Sequence, residues 1–211
     1  MTHLEPHQPA PSAAGPRGKS DAWLIRQTDI TQELAAYLHP DEATPLSEPM
    51  RLLARRGGCT SRNDFPMHVT VGALLVRAGT EILLVQHRAY GILLQPGGHL
   101  QPSDATLLDA ALRELAEETG VDPQQVVPAS RAPVYIEYGQ VPARPEKGEP
   151  EHHHLDFGYA FTTRNADIGQ LQESEVTGAG WYPLAEAARP VGHRIQRAAA
   201  IPGPAAGGGA R

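Results

Sequence analysis

Cysteine is almost missing: Cys59 is the only one in 211 residues, so no disulfide can close within the chain, and a reducing cytoplasm fits. Positive charge is also short. Lys and Arg number 18 against 24 Asp and Glu, a net charge of −6, which leaves no electrostatic footprint for a standing nucleic-acid partner. No run of about eighteen apolar residues occurs, and the opening MTHLEPHQPAPSAAGPRGKS lacks the apolar segment of a secretion signal. No membrane partner is expected, and the cytoplasm is the expected location. Aromatics make up 5% of the chain, and no internal repeat is evident.

Glycine and proline are plentiful instead, 21 and 20 residues, and they collect at the ends. Residues 1–20 and 201–211 cannot bury enough apolar surface to offset ordering and are expected to be disordered tails. Residues 21–64 read as an N-terminal helical extension, in which Ile30, Leu34, Tyr37 and Leu38 share a face that Pro40 and Pro45 bring to an end. Residues 65–200 read as the main domain. There the period changes: His68–Val76 and Glu81–Gln86 are β-rich runs joined by Ala78-Gly79-Thr80 as a hairpin, and Ile92–Gln95 is a third, shorter run.

The central stretch is Gly97–Val121, GGHLQPSDATLLDAALRELAEETGV. A glycine turn feeds a helix that stops at Gly120, with Ser103 or Asp104 placed to cap its first turn. At about 100° per residue, Leu108, Ala111, Leu112 and Leu115 form an apolar arc, and Glu114, Glu117 and Glu118 share the arc beside it. Like charges three and four residues apart repel, and Arg113 offsets only part of this. A hard divalent cation would remove the repulsion, because Mg²⁺ or Mn²⁺ takes oxygen ligands and links one or two carboxylates to substrate phosphates. A solvated acidic face is the ordinary alternative for three glutamates taken alone.

After the helix, Ala132–Tyr138 reads as a strand and Gly139–Glu151 as a flexible loop, too rich in Pro, Gly and charge to continue it. In HHHLDFGYAF, Leu155, Phe157, Tyr159 and Phe161 face one way, while His152, His154, Asp156 and Gly158 face the other. Three consecutive histidines on a strand cannot form one chelate. His154 is the candidate among them, with Asp156 to fix its tautomer. Glu173–Ala188 reads as a loop, a strand through Trp181 and a helix start. Pro190–Ala200 should form a last helix whose arginines are a solvated face.

Gly98, Arg113, Glu114, Leu115, Glu117, Glu118, Gly120 and Val121 fall at the spacing of the Nudix box, and the chain resembles the Nudix hydrolase superfamily. Two departures are visible: Asp104 stands where the pattern has Glu, and one extra residue precedes Arg113. The resemblance implies an α/β/α sandwich with a mixed sheet, where the residues themselves argue only for mixed strands and helices. It also implies hydrolysis of a diphosphate bond, typically in a nucleoside diphosphate derivative, with Mg²⁺ or Mn²⁺ held by Glu114, Glu117 and Glu118.

Glu117, Glu175 and Arg113 make up the expected catalytic set, with Arg113 as an orienting partner and Glu175, from a loop resembling one in the family and with Glu173 as its competitor there, as the further ligand or base. Arg88, Gly97, Gly98, His99 and His154 are the expected substrate contacts. The partner is then a small diphosphate, with a homodimer left open. Two other readings remain: a non-catalytic Nudix domain that senses a nucleotide, and an isomerase of the isopentenyl-diphosphate type, which needs a catalytic cysteine that Cys59 does not match in motif.

Overall fold

A computed structural model describes residues 23–37, 43–55, 58–88, 91–192 and 194–199. The expected tails, and Leu38 and Pro40, lie outside the described residues. The molecule is built on β1 (Met67–Arg77), which is buried along its whole length except at Arg77. A strand buried on both faces has to be covered on both sides. Val69, Val71, Ala73 and Leu75 belong to one apolar cluster and Leu74 and Val76 to another.

β7 (His152–Thr163) runs parallel to β1 from Met67↔His153 to Arg77↔Thr163. On its far side it pairs antiparallel with β6 (Tyr135–Val141) and with β5 (Val127–Pro128). On the near side, β2 (Glu81–His87) touches β1 only at Val76↔Ile82 and Arg77↔Glu81. It then pairs antiparallel with β3 (Leu93–Leu94) and β8 (Val176–Pro183). The other half of β1 is taken by β4 (Gly97–His99), through Thr70↔His99, Val71↔Gly98 and Gly72↔Gly97. The eight strands form one mixed sheet.

α1 (Gln27–Tyr37), α2 (Ala43–Leu53) and α3 (Leu107–Thr119) cover one face. Ile30, Leu34, Leu46 and Leu53 share a cluster with Leu107, Ala111 and Leu115. Burying Ile30, Leu34 and Tyr37 is worth roughly 5–9 kcal/mol gross at about 1.5–3 kcal/mol per large side chain, an upper figure. An isolated helix of that length would be marginal in water. α4 (Leu184–Val191) and α5 (Arg194–Ala199) cover the opposite face, with Ala187 and Ile195 against Leu74, Ile82 and Leu84. The result is an α/β/α sandwich.

Several elements differ from the sequence reading. The region of Pro45 is the first turn of α2, where a missing N–H costs nothing. Pro49 sits inside that helix, and burial of Leu46 and Leu53 outweighs its lost hydrogen bond. β6 begins three residues later than expected and runs through Gly139 and Gln140, because β7 offers a paired backbone as far as Val141↔His152. The remaining loop is short and tied, with a 3₁₀ turn at Pro145–Lys147, a bridge between Arg144 and Glu149, and an Arg62–Glu149 ion pair at 3.1 Å. The last helix is two helices broken at Gly192, φ 80°. Its arginines are not a solvated face: Arg194 Nε donates to Glu137 at 2.7 Å, and Arg197 donates to the Tyr37 hydroxyl and to the Val134 carbonyl at 3.3 Å.

Candidate functional site

The site begins where β4 delivers the chain to α3. Thr106 caps the helix, accepting from the Asp109 N–H at 3.1 Å, and Gly120 ends it at φ 65°. The cap is therefore neither Ser103 nor Asp104. Asp104 accepts the Gln101 N–H at 2.7 Å and turns its carboxylate onto Arg113, whose Nε and Nη2 reach Oδ1 and Oδ2 at 2.8 and 3.0 Å. The extra residue ahead of Arg113 lets Asp104 lie in the loop rather than on the helix.

Arg113 is the hub of the group. Beyond Asp104 it reaches Glu114 Oε1 and Glu117 Oε2, each at 2.9 Å, and the His99 carbonyl at 3.0 Å. Burial opposes its charge, but Asp104 and Glu114 more than compensate and its pKa is raised. The buried face of α3 is centred on Leu107, Ala110, Ala111 and Leu115, with Glu114 and Glu118 on it, while Leu108 and Leu112 are only partly buried. The three box glutamates thus divide: Glu114 and Glu118 are buried and the Glu117 side chain is 43% exposed.

Glu118 Oε2 accepts the Gly97 N–H at 3.1 Å. Gly98 lies so close to Glu114 that a Cβ there would meet its carboxylate at 2.7 Å, so only glycine fits unless the acid moves. Burial pushes Glu114 up to about 7 against the pull of Arg113, with Glu117 and Glu175 adding repulsion. Burial likewise pushes Glu118 up to about 8 against the Gly97 hydrogen bond, with Glu114, Glu175 and Glu117 adding to the rise. Glu175 therefore stands within electrostatic reach of the helix acids, although 57 residues of sequence separate it from Glu118.

Glu175 also lines a cavity of about 320 Å³ together with Gly97, Gly98, His99 and His154. The cavity is lined from β1, β4, β6 and β7, and its lining also includes Glu137, Arg144, Asp156 and Arg194. Arg88 is not among the lining residues. Its N–H donates to the Glu175 carbonyl at 2.8 Å and its Nε to the Glu173 carbonyl at 2.9 Å, so it is committed to the acidic loop. Cys59 is buried, and burial pushes its thiol up to about 12. It does not line the cavity either, which leaves the isomerase reading without a nucleophile.

Sequence reasoning missed two groups. Asp156 does not fix the His154 tautomer. It accepts from Thr70 Oγ1 at 2.9 Å and from the Tyr135 hydroxyl at 2.8 Å, while Gln95 donates to that hydroxyl at 2.9 Å. The second group is imidazole. His152 and His154 share a face as expected, and His153, on the other, stacks on Tyr138 at 4.5 Å. Next to His154, however, stand His68 and His99. Among the described residues, His68, His99 and His154 form the one cluster whose potential metal-ligand atoms all lie within 4.8 Å of one another. The sequence held no signal for it short of the β1–β7 and β1–β4 registers.

The family model described as NUDIX domain matches residues 66–202, more than half of the chain. The chain belongs to the Nudix family. Over 62 residues it is 48% identical to phosphatase NudJ of Escherichia coli K12 and to the same protein of Shigella flexneri, a match that takes in 28% of this chain. That segment spans 39% of the length of those curated relatives. Among solved structures, a C. elegans Ap4A hydrolase is 21% identical, covering 61% of this chain and 93% of its own, at a TM-score of 0.48. A Nudix hydrolase from Nitrosomonas europaea is 23% identical over 65% of this chain and 92% of its own, at 0.47. In this Nudix domain Asp104 is an ion-pair partner of Arg113. No helix among the described residues is long and apolar enough to cross a membrane.

Proposed function

We propose that this chain hydrolyses a diphosphate bond in a nucleoside diphosphate derivative or a related compound, with Mg²⁺ or Mn²⁺. The observation that carries the reading is the close approach of Glu118 to the Gly97 N–H and of Glu114 to Gly98 on β4, with Glu117 and Glu175 within electrostatic reach and Glu175, Gly97 and Gly98 lining the cavity. The donor set fits a hard divalent cation. All four donors are carboxylates, and two of them are buried with raised pKa values, a cost that a bound cation removes.

Glu114, Glu117 and Glu118 would hold the ion, which when bound neutralises phosphate charge and lowers the pKa of a water. The Gly97-Gly98 backbone admits a phosphate close to Glu114 and Glu118. Arg113 keeps Glu114 and Glu117 in place. Glu175 takes the proton from the attacking water at a carboxylate oxygen as the water oxygen bonds to phosphorus and the bridging P–O bond breaks. The electron pair of that bond leaves on the departing phosphate, and Arg144 on the cavity lining is a cation that can attract that charge. Selectivity would come from the loop after β6, since its Arg144 lines the cavity and loops on a rigid scaffold commonly carry recognition.

A panel of dinucleoside polyphosphates, nucleotide sugars, coenzyme A, oxidised nucleotides and capped RNA, each incubated with Mg²⁺ or Mn²⁺, tests the proposal by mass detection of released monophosphate. Metal-dependent cleavage of at least one diphosphate is the expected result. Binding of a nucleotide with no cleavage under either metal would replace it with the sensing role.

A further inference from the structure

The geometry points to a second metal site, made by His68, His99 and His154, that takes a borderline-soft divalent cation such as Zn²⁺ and is distinct from the carboxylate group on α3. Its placement follows from strand register. His68 and Thr70 share a face of β1; His154 of β7 lies opposite His68, and His99 of β4 lies opposite Thr70. Cross-strand neighbours on one face stand about 4.5–5.5 Å apart at Cβ, so three imidazoles from three strands converge. One ring nitrogen from each comes within 4.8 Å of the other two.

The alternative is a wall of packed neutral rings. The centroids are close enough for that, 4.7 Å for His68 and His154, 5.1 Å for His68 and His99, and 5.4 Å for His99 and His154. Ring packing does not require a nitrogen from each to converge, and it leaves one fact unexplained. His68 is 1% exposed, and its Nε2 has no hydrogen-bond partner. A buried polar atom left unpaired has lost its water and gained nothing in exchange, a penalty that coordination removes.

The tautomer is suited to that role. His68 Nδ1 stands 3.2 Å from the Asp64 carbonyl, and a carbonyl only accepts, so the ring's proton sits on Nδ1 and the lone pair on Nε2. A metal-bound histidine typically gives its other N–H to a backbone carbonyl in the same way. His152 fixes the tautomer of His154: its Nδ1 donates to the Pro150 carbonyl at 2.7 Å, so its Nε2 accepts from His154 Nε2–H at 3.3 Å, and the lone pair of His154 is left on Nδ1.

Charge around the cluster decides which cation fits. Burial holds His99 and His154 at about 3, so both rings are already neutral and no proton has to leave. Arg62 opposes a cation, but it is paired with Glu149 at 3.1 Å. Neutral imidazoles bind Zn²⁺ well and Mg²⁺ poorly, whereas the acids on α3 also accept a hard cation such as Mg²⁺. Three nitrogens leave a tetrahedral ion one position short, and His99 and His154 face the cavity, so water or a substrate oxygen would fill it.

The test uses the full chain, stripped with chelator and titrated with Co²⁺ as a spectroscopic stand-in for Zn²⁺, in excess Mg²⁺ to occupy the carboxylates. One equivalent bound with the intense visible absorption of a four-coordinate ion is expected, and one equivalent of Zn²⁺ retained through gel filtration. His68→Gln and, separately, His154→Gln should each weaken binding by more than the roughly 10–100-fold that an outer partner costs. Glu117→Gln should leave Co²⁺ binding as in the parent. Two variants on different strands guard against one misfolding, and the thermal midpoint of each without metal is compared with the parent's. No Co²⁺ or Zn²⁺ retained by the parent would overturn the assignment, as would binding lost with Glu117→Gln and kept in folded His68→Gln and His154→Gln proteins.

Discussion

Asp104 grips Arg113 with both carboxylate oxygens, at 2.8 Å to Nε and 3.0 Å to Nη2. A two-pronged contact of this kind fixes the plane of the guanidinium as well as its position. With the plane fixed, Nη1 lies between Glu114 and Glu117 at 2.9 Å from each, so a loop residue sets the attitude of two helix acids. Asp104→Asn keeps the shape but removes the charge from a side chain only 4% exposed. A loss of about 1.5–3 kcal/mol is expected, the scale of a hydrogen bond to a charged group, because Arg113 keeps Glu114 and Glu117 as partners. Urea unfolding that moves by less than about 0.5 kcal/mol, the range of a neutral surface change, would show that Arg113 needs no such partner.

Glu118→Gln should separate stability from activity. The native carboxylate is buried and pushed up to about 8, so in the absence of metal an amide of the same shape relieves repulsion and the protein should melt no lower than the parent. Turnover should nevertheless fall by about 10²–10³-fold, the scale of losing one preorganised electrostatic contact. A variant that unfolds early, or one that keeps parental turnover at saturating Mg²⁺, would contradict the assigned role.

The parts of the fold that could be read from sequence are those fixed by local chemistry. The β1 run, the hairpin at Ala78–Thr80, the helix end at Gly120 and the alternation of β7 all follow from side-chain period and turn residues. What could not be read depends on a partner across space. β6 extends through Gly139 because β7 lies beside it, α2 forms over Pro49 because Leu46 and Leu53 reach a shared core, and Arg194 is occupied because Glu137 waits on another element. The site divides the same way. The glutamates of α3 were legible from spacing, whereas the pairing of Asp104 with Arg113 and the meeting of His68 with His154 needed the loop path and the strand register.

The metal-free protein should lose stability as pH rises from about 4.5, the ordinary value for these acids, through about 7 and about 8. The folded state holds the protons of Glu114 and Glu118 more tightly than the unfolded chain does. Their contribution is thus fully present below the unfolded value and lost as pH climbs through the folded ones. Thermal melts in chelator across that window should fall, and the slope should shrink in Glu118→Gln. A flat profile in the parent would mean that the two carboxylates are not protonated in the fold.

Removing Pro142 to Gly148 should alter which diphosphate is preferred more than it alters the melting temperature. Arg144 of that segment lines the cavity, while its paired backbone bonds with Glu149 close the loop on itself rather than onto the sheet. The same rank order of substrates in parent and shortened protein would make the segment a passive connector.

Glu175→Gln is expected to lower kcat by about 10²–10⁴-fold, the usual contribution of a general base, with KM and the metal requirement little changed. The carboxylate acts on Glu114 and Glu118 through space and lines the cavity, and it comes from a loop whose backbone is held by Arg88. Arg88 bonds the carbonyls of Glu173 and Glu175 at 2.9 and 2.8 Å, the first through its side chain and the second through its N–H. Arg88→Ala keeps the N–H and removes only the side-chain tie. It should therefore lower kcat less than Glu175→Gln does, and adding it to Glu175→Gln should cost little more, because a positioning residue has nothing left to position. If the two losses instead multiply in full, Arg88 touches substrate directly; if Glu175→Gln retains parental kcat, the base is another group.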